Sequence, residues 1–143
     1  LAGTRIESVD IELKTVILDQ GEKEEMIIKQ KGRYFLKDGT VIILFDEEDE
    51  NGEMIQTMIT MQSERAVLKR SGKIRMNQLF KPDQKTESVY HHPFGNMLME
   101  TYTEQLTFTE EDRQGYLSIE YQLSLNGQEP RKHQLMFTYK KEV

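Results

Sequence analysis

Three groups of side chains in this sequence are of types that could do chemistry. The first is Arg70 with Glu47. Arg70 shares strand parity with Ala66 and Leu68, and Glu47 shares it with Val41, Ile43 and Phe45. A guanidinium turned into an apolar interior costs several kcal/mol unless a carboxylate meets it. Either the two pair inside the fold or Arg70 is an exposed strand-end residue beside Lys69. A pair of this kind is more often structural than ligand-binding. The second group is the histidines, His91, His92 and His133. His91 and His92 are neighbours, so on a strand they face opposite sides. They share one metal only if Pro93 kinks the chain, and a zinc site drawn with His133 and Glu47 or Glu48 rests on generic spacing. The third group is hydroxyls and carboxylates. Ser71 and Ser88 lie in no Gly-x-Ser-x-Gly elbow. Glu47 and Glu48, being adjacent, diverge and cannot flank one bond as acid and base. No glycine-rich loop cradles a phosphate. Catalysis has little support, and no metal or cofactor is expected.

The aromatic and thioether side chains suit a container better than a catalyst. Tyr34, Tyr90, Tyr121 and Tyr139, with Phe35, Phe45, Phe80 and Phe137, line or plug an interior. Tyrosine brings an apolar body and a hydroxyl, as an amphipathic pocket needs. It serves equally in a packed core whose hydroxyls find backbone partners. Met54, Met58 and Met61, then Met97 and Met99, read as adaptable core filler.

The elements that must position these residues are strands. From Tyr116 to Leu125, Leu117, Ile119, Tyr121, Leu123 and Leu125 share one face, while Ser118, Glu120, Gln122 and Ser124 share the other. This period of two is that of a half-buried strand. Asn126-Gly127 follows, a hairpin turn whose positions need positive φ. Arg131 to Tyr139 then alternates again, with His133, Leu135, Phe137 and Tyr139 together. Val9, Ile11, Leu13 and Ile17 share a face, as do Met26, Ile28, Tyr34 and Leu36 across Gly32, a position for a bulge or bend. Turns fall at Asp38-Gly39, Asn51-Gly52, Ser71-Gly72, Lys81-Pro82-Asp83 and Pro93-Phe94-Gly95. Between them lie strands at Thr40–Phe45 (apolar on both faces), Met54–Met61, Ala66–Arg70, Lys73–Phe80, Thr86–His91 and Met97–Phe108. Roughly ten strands at spacings of about 8–12 residues mark an antiparallel sandwich or barrel. Closing the sheet removes its edges, and the lack of long crossovers favours the barrel.

The 143 residues fit one domain, 1–143, with residues 1–4 expected to be a disordered or added extension. Lys plus Arg number 19 and Asp plus Glu 25, for a net charge of −6. That balance argues against nucleic acid, which selects a basic face, and against an anionic membrane surface. There is no cysteine, which removes disulfides, thiol nucleophiles and cysteine zinc sites. The longest apolar run, Val41 to Phe45, is far too short for a membrane helix. No apolar leader stands near the start, and a cytoplasmic location is expected. The acidic cluster Asp46 to Glu53 reads as a solvated hairpin tip.

Arg70-Ser71-Gly72 followed by Met76-Asn77-Gln78 and Phe80 is the most specific motif. Around it stand Gly32-Arg33-Tyr34, Glu47-Glu48, Tyr90, Phe94-Gly95, Thr101, Gly115, Ile119 and Tyr121. From about Val9 to Tyr139 the chain resembles the YwiB-like family of bacterial proteins, a domain-of-unknown-function family found largely in Firmicutes. It departs locally at Leu44-Phe45-Asp46, where relatives show a polar-aromatic run. The resemblance implies an all-β fold, a single antiparallel up-and-down barrel of the calycin or lipocalin kind with about eight to ten strands. It implies no activity. Parity and the family match together give a candidate pocket lining of Glu47, Arg70, Met76, Tyr90, Thr101 and Tyr121. The function expected first is a non-enzymatic barrel that binds a small apolar or amphipathic molecule. The alternative is an interaction module with a filled interior, a homodimer through an edge or an outer face carrying Ile42, Leu44, Ile55, Ile59 and Leu98. An enzyme is the weakest reading.

Overall fold

The structure, a computed structural model, describes residues 5–49 and 51–142. The expected extension at 1–4 and Glu50 of the acidic cluster lie outside the described residues. Strand is the only regular structure among them. The strands are β1 (Ile6–Asp19), β2 (Glu22–Lys37), β3 (Thr40–Glu48), β4 (Met54–Gln62), β5 (Arg65–Ser71), β6 (Arg75–Phe80), β7 (Lys85–His92), β8 (Gly95–Glu111), β9 (Gln114–Leu125) and β10 (Arg131–Lys141). Each pairs antiparallel with the next, and β10 returns to β1, so the sheet is a closed up-and-down barrel. The turns work as their sequences require. Asp38-Gly39 and Asn126-Gly127 hold positive φ at both positions, and Gln20-Gly21 makes a hairpin of the same kind.

Alternation sets the wall. Val9, Ile11 and Leu13 of β1 face inward with Leu135, Phe137 and Tyr139 of β10, and with Leu117, Ile119 and Tyr121 of β9. On β3 the inward set is Val41, Ile43, Phe45 and Glu47; Ile42 and Leu44 are half-buried outside. The structure corrects the expectation for Ile55 and Ile59. Both are buried, because β4 turns Ile55, Thr57, Ile59 and Met61 inward and Met54 outward. Only Leu98 of that group is substantially exposed.

Two irregularities matter for the site. In β8 the register slips between Thr103 and Gln105, so inward parity passes from Met99, Thr101 and Thr103 to Leu106 and Phe108. In β2 the backbone at Gly32 lies so close to its neighbours that a Cβ would meet the Leu44 carbonyl oxygen at 3.0 Å and Ile11 Cγ2 at 3.2 Å. Pairing with β1 runs through Gly32 without a bulge, but pairing with β3 begins only at Arg33. The earlier half of β2 is therefore an edge. The wall is also thin between β6 and β7, where Arg75 and His91 form the one register pair and Thr86 Oγ1 donates to the Leu79 carbonyl at 2.6 Å.

The barrel has two unlike ends. The lower end carries the β2–β3, β4–β5, β6–β7 and β8–β9 turns, and its interior is packed with aromatics. Phe45 and Phe137 stack across it at 5.8 Å and Tyr34 meets Tyr139 at 5.4 Å. Glu110 accepts hydrogen bonds from both tyrosine hydroxyls, and Lys141 Nζ sits 4.2 Å above the Tyr34 ring. Burial and the Glu110 carboxylate push both phenols well above their usual range. The upper end carries the β1–β2, β3–β4, β5–β6, β7–β8 and β9–β10 turns, and its interior is polar.

Candidate functional site

The polar interior is built by strand ends. Glu47 is the penultimate residue of β3, Arg70 the penultimate of β5 and Met76 the second of β6, so all three reach the upper mouth from neighbouring strands. Arg70 Nε donates to Glu47 Oε2 at 3.0 Å and Arg70 Nη2 to Glu47 Oε1 at 3.5 Å. Thr57, on the strand between them, donates its hydroxyl to Glu47 Oε2. The guanidinium side chain keeps 23% of its surface in solvent and the carboxylate 10%, so the pair is reachable from the mouth. The inward pairing read from parity is therefore present, and Thr57 completes it.

The other four predicted residues also face inward. Met76 stands opposite Arg70 in register. Tyr121 lies deeper, edge-on to Phe80 at 4.9 Å and stacked on His133 at 5.1 Å. Burial pushes its phenol up to about 12, and the Arg70 charge across the interior offsets part of that rise. Thr101 is buried and its hydroxyl accepts from Gln78 Nε2 at 2.9 Å. Tyr90 is half-buried at the thin seam, stacked with His92 at 6.1 Å; Phe94 beyond it packs on His92 at 5.2 Å. Glu47, Arg70, Met76 and Tyr121 thus converge on one region, Thr101 forms its floor with Gln78, and Tyr90 stands at its side.

Sequence reasoning missed the two groups that make this region unusual. Thr103, Tyr121 and His133 lie opposite one another in register across β8, β9 and β10. Among the described residues, the buried Thr103 hydroxyl oxygen and His133 Nε2 have no hydrogen-bond partner. An orphaned buried polar atom costs about 1–3 kcal/mol, so a matched pair beside one tyrosine needs a reason. His133 is only 7% exposed; burial, and secondarily the Arg131 charge, lower its pKa to about 4, so it is a neutral imidazole near neutrality. The signal for these two residues was polarity on an apolar face: Thr103 in step with Thr101, and His133 with Leu135 and Phe137.

The arrangement offers hydrogen bonds, one ion pair and apolar walls. Among the described residues no group of three His, Cys, Asp or Glu side chains is placed to hold a metal. His91 Nδ1 lies 3.2 Å from Asn96 Oδ1, and His92 Nδ1 accepts from the Phe94 backbone N–H at 3.1 Å.

Comparison with known proteins agrees with this architecture. The uncharacterised β-barrel protein YwiB of Bacillus subtilis (strain 168) is 26% identical over 131 residues, 92% of each chain. The crystal structure of the Bacillus subtilis YwiB protein superposes with a TM-score of 0.88 at 25% identity, covering 98% of this chain and 96% of that one. The model of a family described as a domain of unknown function, DUF1934, matches residues 11–137. That match spans most of the barrel, from β1 to β10, and the chain belongs to the DUF1934 family.

Proposed function

We propose that this protein is a non-enzymatic, calycin-like barrel whose upper mouth binds a small amphipathic molecule. One observation carries the reading: Thr103 Oγ1 and His133 Nε2 are buried on either side of Tyr121, with no hydrogen-bond partner among the described residues. A chain selected for stability alone would fill such a row with apolar side chains. A ligand with polar atoms at that depth would satisfy both groups. Arg70 spends two of its five donors on Glu47, which leaves donors for an anionic or carbonyl group. The rim suits the apolar part of such a molecule, since Phe94 in the β7–β8 turn and Met54 at the start of β4 stand exposed at this end.

A filled barrel acting as an interaction module is the second reading, favoured by the aromatic packing of the lower half. Native mass spectrometry of the protein purified from its own cells, compared with its denatured mass, separates the two. Binding predicts a discrete extra mass that denaturation releases and that Arg70→Ala or Tyr90→Phe weakens. The same variants, checked by circular dichroism for an intact fold, should lose fluorescence enhancement of anilinonaphthalene sulfonate. A bare chain mass together with unchanged probe binding in both variants would defeat the proposal.

A further inference from the structure

The earlier half of β2 is paired with β1 on one side only. Its pairing with β3 covers Arg33–Lys37 alone, so the backbone from Glu22 to Lys29 has an open edge. Such edges recruit other strands unless they are blocked. This one carries two large apolar side chains in solvent, Met26 at 63% and Ile27 at 51% exposure. Its charges are unevenly distributed: Glu22, Glu24 and Glu25, with Lys23 among them, precede the apolar centre, and Lys29 and Lys31 follow it. We infer that this edge is a self-association surface, on which a second copy of the chain adds antiparallel across Glu25–Lys29.

Geometry fixes the register. A two-fold axis normal to the sheet keeps inner faces together, so opposed residues must share parity. Centring the axis on Ile27 places Ile27 opposite Ile27, Met26 opposite Ile28 and Glu25 opposite Lys29, twice over. Centring it on Met26 puts Lys23 opposite Lys29 and Glu25 opposite Ile27. Centring it on Ile28 puts Ile27 opposite Lys29. The Ile28 register also sets Ile28 on Ile28 and Glu25 opposite Lys31, but only the first register pairs Met26, Ile27 and Ile28 wholly among themselves, with no apolar side chain opposite a charge. Its like-charge contact, Lys23 opposite Lys31, also occurs twice and is relieved because Lys31 already holds Asp10 at 2.5 Å and Glu142 at 2.7 Å. Glu25 and Lys29 have exposed, exchangeable partners in Lys23 at 2.9 Å and Glu12 at 3.9 Å. The contact is small, so the dimer is expected to be weak and concentration-dependent.

Sedimentation equilibrium of the full chain, from micromolar to millimolar, tests this. The wild type should show a monomer–dimer equilibrium. Glu25→Lys or Lys29→Glu alone sets like charges opposite each other twice per dimer and should weaken association about tenfold or more. The double variant Glu25→Lys with Lys29→Glu should restore it. Ile27→Lys should abolish it, with the thermal melt of each variant reporting an intact barrel. A wild type that stays monomeric throughout, or a dimer indifferent to the single changes, or a double variant that fails to recover, would overturn the inference.

Discussion

Glu47 and Arg70 were readable as an inward pair because each sits in step with apolar neighbours on its own strand. Period-two logic needs no tertiary knowledge there. Thr57, the third member of the cluster, was not readable, because its role depends on lying between β3 and β5. His133 shows the same divide. Its burial followed from its place with Leu135 and Phe137, but its orphaned nitrogen follows from what β8 and β9 set beside it. That burial has a pH consequence. The folded-state pKa of about 4 lies below the ordinary 6.5. As pH falls, the unfolded chain takes up a proton that the folded chain refuses. The stability tied to the neutral imidazole is thus fully present above about 6.5 and drains away towards about 4. Between about pH 7.5 and about pH 5 the wild type should lose about 1.5 kcal/mol that His133→Leu does not, allowing for partial solvent screening. Urea unfolding at the two pH values measures this, and parallel losses in both proteins would refute the assignment.

At the scale of elements, all ten strands could be placed from alternation and turn residues, and their bounds shift by a few residues. Facing was less legible wherever one strand changes its parity. In β8 the slip between Thr103 and Gln105 exchanges the inward set, so one face cannot be followed from Met97 to Phe108. In β4 apolar residues occur on both sides, and nothing local distinguishes Ile55 and Ile59 from Met54 and Met58. The glycines show what else the elements demand. Gly115 is the second residue of β9, and a Cβ there would overlap the Tyr139 ring. The Tyr139 ring therefore rests on the Gly115 backbone, and its hydroxyl reaches Glu110 from that seat. Gly115→Ala should cost about 3 kcal/mol in chemical unfolding, because a buried aromatic ring cannot yield without disturbing the packed end. Gly115→Ala with Tyr139→Leu should recover part of that loss. A Gly115→Ala protein as stable as the wild type would mean that the ring is free to move aside.

The whole molecule divides its labour along the barrel axis. The lower interior is dense with fully buried side chains such as Tyr139, Phe137 and Phe80, and this packing supplies the hydrophobic stabilisation. The upper interior spends stability on an ion pair, a Gln78–Thr101 hydrogen bond and two unpartnered polar atoms. Proteins commonly concentrate such costs where function needs them. The division makes opposite predictions for the two ends. At the lower end, Phe137→Ala opens a cavity and can only destabilise. At the upper end, Thr103→Val and His133→Leu together replace orphaned polar atoms with apolar ones of similar shape. They should stabilise the barrel by about 1–3 kcal/mol in urea unfolding. If the polar row exists for a ligand, the same double variant should no longer carry the extra mass expected of the wild type in native mass spectrometry. Gain of stability with loss of the bound mass would tie the cost to binding. Loss of stability would show that Thr103 and His133 have partners in solution, such as ordered water, and the upper interior would then be core rather than site.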